Sequence, residues 1–191
     1  MARSQRISAS GFVYHVVNRA AKRATLFNIP NDYERFERAL FQAREKYKVR
    51  LLAYCIMPNH WHLIIWPESD GELPRFMHWL TTTHVRRHHK AYDSNGLGPL
   101  YQGRYKSFLI ENENYYWNAC AYVEANPLRA KLVERAEWWQ WSSARQRAGV
   151  AAHANNALDG GPTPFPDRWL EIVNSAANAP MPGSGTPIRS A

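Results

Sequence analysis

Two short apolar runs, Val49 to Met57 (VRLLAYCIM) and Trp61 to Trp66, are parted by Pro58-Asn59, and this pairing constrains the fold more than any other feature of the chain. Each run has the length and composition of a strand, and a Pro-Asn step turns the backbone, so the segment predicts a β-hairpin. The hydrophobic period then changes on both sides. Gly11 to Arg19 (GFVYHVVNR) is β-branched and aromatic and reads as a mostly buried first strand. Asn31 offers a helix cap with Glu34 three residues on, and Tyr33, Phe36, Leu40, Phe41 and Tyr47 recur every three or four residues through charged sequence, as on an amphipathic helix.

Beyond the hairpin, Leu73, Phe76, Met77, Leu80 and Val85 mark a second helix, Ser94 to Pro99 a loop, Arg104 to Ile110 a strand, and Asn112 to Asn126 a third helix halted by Pro127. The order β-α-β-β-α-β-α fits a ferredoxin-like α+β sandwich, an antiparallel sheet with helices on one face, extended by the third helix. After Val150 the chain turns rich in Ala, Gly, Pro and Asn. Residues 148–191 are therefore expected to be an extension, partly docked through one short helix near Pro166 to Val173 with Trp169 and Ile172 as anchors.

Charge points to the class of partner. The chain carries 24 Lys and Arg against 16 Asp and Glu, a net charge of +8, and the excess lies before Val150, so a polyanionic partner is expected. No apolar run is long enough to span a bilayer and none of signal-peptide type follows the N-terminus, so a cytoplasmic, nucleoid-associated protein is expected. Cys55 and Cys120 sit in apolar runs and read as buried, reduced thiols, with no CxxC pair to suggest structural zinc.

His60-Trp61-His62 opens a predicted strand. Residues i and i+2 of a strand share a face, so both imidazoles can reach one cation while Trp61 faces the opposite side. A third donor is required. Tyr122 and Asn126 lie four residues apart, on one face of the third helix about one turn from each other, and a cation held by the Asn126 amide oxygen would sit near the Tyr122 hydroxyl. Two imidazoles and a neutral amide leave coordination positions open, which suits Mg²⁺ or Mn²⁺ bridging to a phosphate better than a closed zinc site. Taken singly, Tyr122 could be a packing tyrosine and Asn126 a helix-terminal residue.

Three strings occur in order: Met57-Pro58-Asn59-His60-Trp61-His62-Leu63, Tyr101-Gln102-Gly103-Arg104-Tyr105-Lys106, and Tyr122-Val123-Glu124-Ala125-Asn126-Pro127-Leu128-Arg129-Ala130. Together they resemble the single-tyrosine HUH transposases, and among these the REP-associated tyrosine transposase branch. The resemblance covers roughly residues 8–147, Trp141-Ser142-Ser143 included. It implies that His60 and His62 are the HUH pair, Tyr122 the nucleophile and Asn126 the companion metal ligand, acting on single-stranded or hairpin DNA as monomer or homodimer. Relatives more often carry an aliphatic residue where Trp61 stands. Tyr115 and Tyr116 precede Tyr122, but Tyr115 is two turns further from Asn126, about 10 Å, and Tyr116 points towards a core.

The chemistry implied is attack by the Tyr122 oxygen on a scissile phosphate, giving a 5′-phosphotyrosine and a free 3′ hydroxyl that can later reverse the step. Candidate DNA contacts are Arg86, Arg87, His88 and Lys90 with His89 at the basic end of the second helix, and Arg104 and Lys106 flanking Tyr105, an alternation that suits backbone contact and base stacking. Trp138, Trp139 and Trp141 could stack on bases or close a core. Two other readings stand beside this one: a non-catalytic single-strand or RNA binder with structural histidines, and a metal phosphodiesterase that uses activated water.

Overall fold

A computed structural model of the chain describes residues 9–94, 96, 98–150 and 158–176. The elements of the body follow the expected order: β1 (Val13–Arg19), α1 (Pro30–Lys46), β2 (Val49–Met57), β3 (His60–Pro67), α2 (Glu72–Tyr92), β4 (Lys106–Ile110) and α3 (Glu113–Glu124). Short helices α4 (Asn126–Arg129), α5 (Ser143–Arg147) and α6 (Trp169–Ser175) come after it. The four strands form one antiparallel sheet in the order β2-β3-β1-β4, the ferredoxin-like arrangement.

Side-chain alternation divides the sheet into two faces. Tyr14 and Val16 of β1, Leu51, Tyr54 and Ile56 of β2, and Trp61, Leu63 and Ile65 of β3 pack under α1 and α2 against Phe36, Leu40, Phe76 and Leu80. Burial of each large side chain there stabilises the fold by about 1.5–3 kcal/mol. The opposite face, with Val13, Ala53, Cys55 and Ile64, is covered by Tyr116, Ala119, Cys120 and Val123 of α3 and by Trp169 and Val173 of α6. Thus α1 and α2 lie on one face, as expected, while α3 closes the other. Both cysteines are free and fully buried.

Several boundaries differ from expectation, each for a tertiary reason. Helix α1 starts at Pro30, and its cap is supplied from inside the first turn: the Asp32 carboxylate accepts the backbone N–H groups of Asn28 and Ile29, at 2.8 and 3.2 Å, and also binds Arg35 and the Tyr92 hydroxyl. Asn31 has no capping role. Strand β4 starts at Lys106 and not at Arg104, because the chain before it bridges Tyr101 to Ala20 instead of extending the ladder. Helix α3 is capped at Asn112, whose side chain accepts the Tyr115 N–H at 2.9 Å. It ends at Glu124, and Asn126 begins a separate turn that contains Pro127, so Tyr122 and Asn126 are not on one continuous helix.

The extension docks through residues 158–176. Asp159 exchanges two hydrogen bonds with the backbone of Leu51 on the edge strand β2, at 2.8 and 3.0 Å, which covers part of that edge. In α6 Trp169 and Val173 are buried, whereas Ile172 is 40% exposed, so Val173 replaces Ile172 as the second anchor.

Candidate active site

Strands β1 and β3 are the interior strands of the sheet, and their register builds the site. Arg19 lies opposite His60, Val17 opposite His62, and His15 opposite Ile64. On the other side of β1, Lys106 lies opposite Val17 and Phe108 opposite His15. Cross-strand partners point to one face, so Arg19, His60, His62, His15 and Lys106 share the face covered by α3. Trp61 points the other way into the α1/α2 core, fully buried, with its indole N–H on the Tyr101 hydroxyl at 3.1 Å.

The three histidines form a compact cluster. The rings of His60 and His62 have centroids 5.0 Å apart and those of His15 and His62 5.1 Å, and His15 Nε2 lies 2.8 Å from His62 Nδ1. The half-buried Tyr122 ring stands edge-on to them, 5.9 Å from His62 and 6.2 Å from His15, with the Arg129 guanidinium 5.1 Å above its own centroid. Asn126 Nδ2 donates to the carbonyls of Tyr122 and Val123, at 2.8 and 3.3 Å, while the other end of the amide lies at His60. Because the nitrogen end must face those carbonyls, the amide oxygen is the end presented to His60.

Electrostatics keep this cluster neutral at physiological pH. Burial pushes the His15 imidazole down to about 4. Burial and then the Arg19 charge bring His60 to about 4 as well, opposed by the Asn126 amide oxygen, which accepts from the protonated form of the ring. His62 is driven well below the usual histidine range by burial, then by His15, His60 and Arg19. A neutral imidazole carries one lone pair, which is what a cation or a proton in transit requires. Among the described residues, no three His, Cys, Asp or Glu side chains are arranged to hold a metal ion by themselves. The Asn126 amide oxygen is an oxygen atom that the fold brings to His60.

Comparison with known proteins decides the family. Residues 8–126 match the profile described as "Transposase IS200 like". The chain belongs to this family of IS200-like transposases. It is 28% identical over 119 residues to a Haemophilus influenzae protein named "Putative REP-associated tyrosine transposase", a match spanning 56% of this chain and 66% of that relative. Its fold is similar to a solved REP-associated tyrosine transposase bound to a REP hairpin, with a TM-score of 0.63, 20% identity, and coverage of 86% of this chain and 95% of that one. Both that relative and that structure are named as REP-associated tyrosine transposases.

In this IS200-like chain the predicted residues fall into two groups. His60, His62, Tyr122 and Asn126 come together on the α3 face, and Lys106 is exposed on the same face beside Val17. Tyr116 is buried as expected, and Tyr115 packs beside the α3/α6 core. Arg86, Arg87, His88 and Lys90 sit on α2, across the sheet from the histidines. Of these, Arg87 donates to Gln42 at 2.7 Å and the His88 ring packs 4.8 Å from Tyr92, so two of the four have intramolecular roles. Tyr105 is buried in the α1/α2 core, which removes it as a stacking platform; Arg104 lines a cavity of about 880 Å³ against α2 with Asn18, His78, Thr82 and His89. Arg104 and Lys106 are not on one strand face because Arg104 precedes the ladder. Trp141 is buried and stacks on Tyr33, Trp139 donates to the Ile56 carbonyl at 2.9 Å, and only Trp138 is exposed.

His15, Arg19 and Arg129 are the members of the site that sequence reasoning passed over. His15 stands two residues from Val13 and Val17 in a strand pattern, which fixes its face but not its neighbour. Its pairing with His62 depends on a register linking positions 47 residues apart.

Proposed function

We propose that this chain nicks and rejoins single-stranded DNA beside a hairpin, through a covalent 5′-phosphotyrosine on Tyr122. The observation that carries the reading is the edge-on approach of the Tyr122 ring to two buried, neutral histidines, with the Asn126 amide oxygen turned towards His60. His60, His62 and Asn126 fit a divalent cation, Mg²⁺ or Mn²⁺, because two imidazole lone pairs and an amide oxygen supply donors yet leave positions for phosphate oxygens. When bound, the ion would supply Lewis-acid polarisation of the scissile phosphate.

The residues divide the remaining work. Arg19 and Lys106, exposed on the same face as the histidines, attract the DNA backbone and hold the phosphate against the sheet. The Tyr122 oxygen attacks phosphorus in line, the P–O3′ bond breaks, and the phenolic proton is balanced by protonation of the departing 3′ oxygen. Arg129 over the Tyr122 ring limits its rotation and stabilises negative charge on its oxygen. Attack by a 3′ hydroxyl on the phosphotyrosine reverses the exchange, so bond energy is conserved and no nucleotide is consumed.

The test is incubation of the protein and its Tyr122→Phe and Tyr115→Phe variants with labelled hairpin DNA carrying a single-stranded flank, with Mg²⁺, Mn²⁺ or EDTA, followed by denaturing gels. A metal-dependent, protease-sensitive DNA adduct is expected from the parent and from Tyr115→Phe, and none from Tyr122→Phe. Cleavage by all three without an adduct would replace this reading with a water-using phosphodiesterase.

A further inference from the structure

His15 has no assigned part in the chemistry above, yet its Nε2 lies 2.8 Å from His62 Nδ1, a direct polar contact to a strand histidine from outside the motif. Both rings are buried, each 5% exposed. Two neutral imidazole nitrogens this close can share only one hydrogen. If it sits on His62 Nδ1, then His62 Nε2 carries a lone pair. If it sits on His15 Nε2, the His62 Nε2 position is protonated and cannot ligate.

The surroundings favour the first arrangement. A ligand histidine is commonly oriented by donating its second N–H to a backbone carbonyl or carboxylate. Here β1 and β3 are the interior strands and their carbonyls are committed to the ladders, so the diagonal neighbour His15 stands where such an acceptor would. The other candidate ligands are tied in the same manner. His60 Nδ1 lies 2.6 Å from Asn59 Oδ1, an acceptor that requires the proton on Nδ1, and Asn126 is held by its Nδ2 on the carbonyls of Tyr122 and Val123. Each side chain is thus held at one end and presents a lone pair at the other.

We propose that His15 is a positioning residue that accepts the His62 Nδ1–H on its Nε2, locking His62 in the tautomer whose Nε2 can bind a divalent cation. The proposal rests on the metal-site reading given above for His60, His62 and Asn126. His15 itself is not a ligand: its Nε2 is engaged by His62.

Two measurements on the full chain test it. In metal-free protein labelled with ¹⁵N-histidine, two-bond N–H correlation spectra report each tautomer directly, and His62 is expected to carry its proton on Nδ1; a proton on Nε2 overturns the proposal. Mn²⁺ titration followed by the EPR signal of free Mn²⁺ then compares the parent with His15→Gln, His15→Phe and His62→Ala. Gln places an acceptor oxygen near the lost Nε2 and should keep affinity within a few-fold, whereas Phe should weaken it about 10–100-fold. Equal affinity in His15→Phe and parent overturns the proposal, and so does a loss in His15→Gln as large as in His62→Ala, which would make His15 a ligand. A parent that binds no Mn²⁺ defeats the metal-site reading itself, and the tautomer spectrum still decides the role of His15. Circular dichroism of each variant separates loss of the site from loss of the fold.

Discussion

The indole N–H of Trp169 donates to the buried carboxylate of Glu124 at 2.7 Å, joining the docked C-terminal helix to the last residue of the helix that carries Tyr122. The same carboxylate accepts from the Ser143 hydroxyl and from Arg147 Nε at 2.7 Å, and Glu124 is fully buried. One charge therefore ties α3, α5 and α6 together two residues beyond Tyr122. Removing it leaves the Arg147 charge with the Leu52 carbonyl and the Phe165 ring but no counter-ion. Glu124→Ala should destabilise the protein by about 3–5 kcal/mol, read as a shift of the urea midpoint. A change below about 1 kcal/mol, the range of a surface pair, would mean that this network does not hold the extension to the body.

Acid should weaken the fold through histidines that are neutral in it. His84 is fully buried on α2, and its Nδ1 lies 2.6 Å from the Tyr101 hydroxyl, which itself receives the Trp61 N–H. With its oxygen accepting the Trp61 N–H, the Tyr101 hydroxyl is placed to donate to a neutral His84 Nδ1. Burial, with the neighbouring His88 second, pushes His84 down to about 3. The unfolded chain takes up a proton near pH 6.5 that the native site refuses, so stability is complete above that pH and is lost as pH falls towards 3. His15 and His60, both lowered to about 4, add to the same trend. Each contributes a slope approaching 1.4 kcal/mol per pH unit. Urea unfolding of metal-free protein at a series of pH values should show this decline, and His84→Gln should be less stable at neutral pH with a shallower decline. An unchanged slope in the variant would refute the assignment to His84.

How much of this was legible depended on the range of the interaction concerned. Changes of hydrophobic period are local, so the order of strands and helices and the presence of the hairpin could be read directly. His60 and His62 were legible because a strand fixes the face of every second residue. The register of β1 on β3 is not encoded locally, and without it His15 and Arg19 have no visible relation to His62 and His60. The start of α1 is set by Asp32, whose partners include Tyr92, 60 residues away. Val173 rather than Ile172 is buried because docking on α3 fixes the rotation of α6, and both residues suit the same short apolar stretch.

The two faces of the sheet make opposite demands on the basic residues. Arg19 and Lys106 lie on the histidine face, whereas Arg86 and Lys90 are exposed on α2 across the sheet. Arg19→Ala and Lys106→Ala should each weaken binding of single-stranded flanking DNA, lower the salt slope of log K by about 1, and reduce adduct formation at saturating DNA. Arg86→Ala and Lys90→Ala should leave adduct formation at saturation unchanged. Binding isotherms over a range of salt concentrations, paired with adduct yields, separate the two sets. A fall in saturated adduct yield in the α2 variants alone would relocate the scissile phosphate to the other face.

Trp61 sits between the two motif histidines yet belongs to the opposite core, with Phe36 5.6 Å away and the Tyr101 hydroxyl on its indole nitrogen. Its role is accordingly mechanical: it fills the space under α1 and α2 and, by strand alternation, holds His60 and His62 on the other face. Trp61→Leu removes ring volume from a well-packed core and should cost about 2–4 kcal/mol of stability. Because the backbone ladder and the His15 contact are untouched, Mn²⁺ affinity measured well below the melting temperature should stay within about two-fold of the parent, a difference under 0.5 kcal/mol. Loss of metal binding with an intact fold would show that the indole sets the distance between the two imidazoles as well as packing the core.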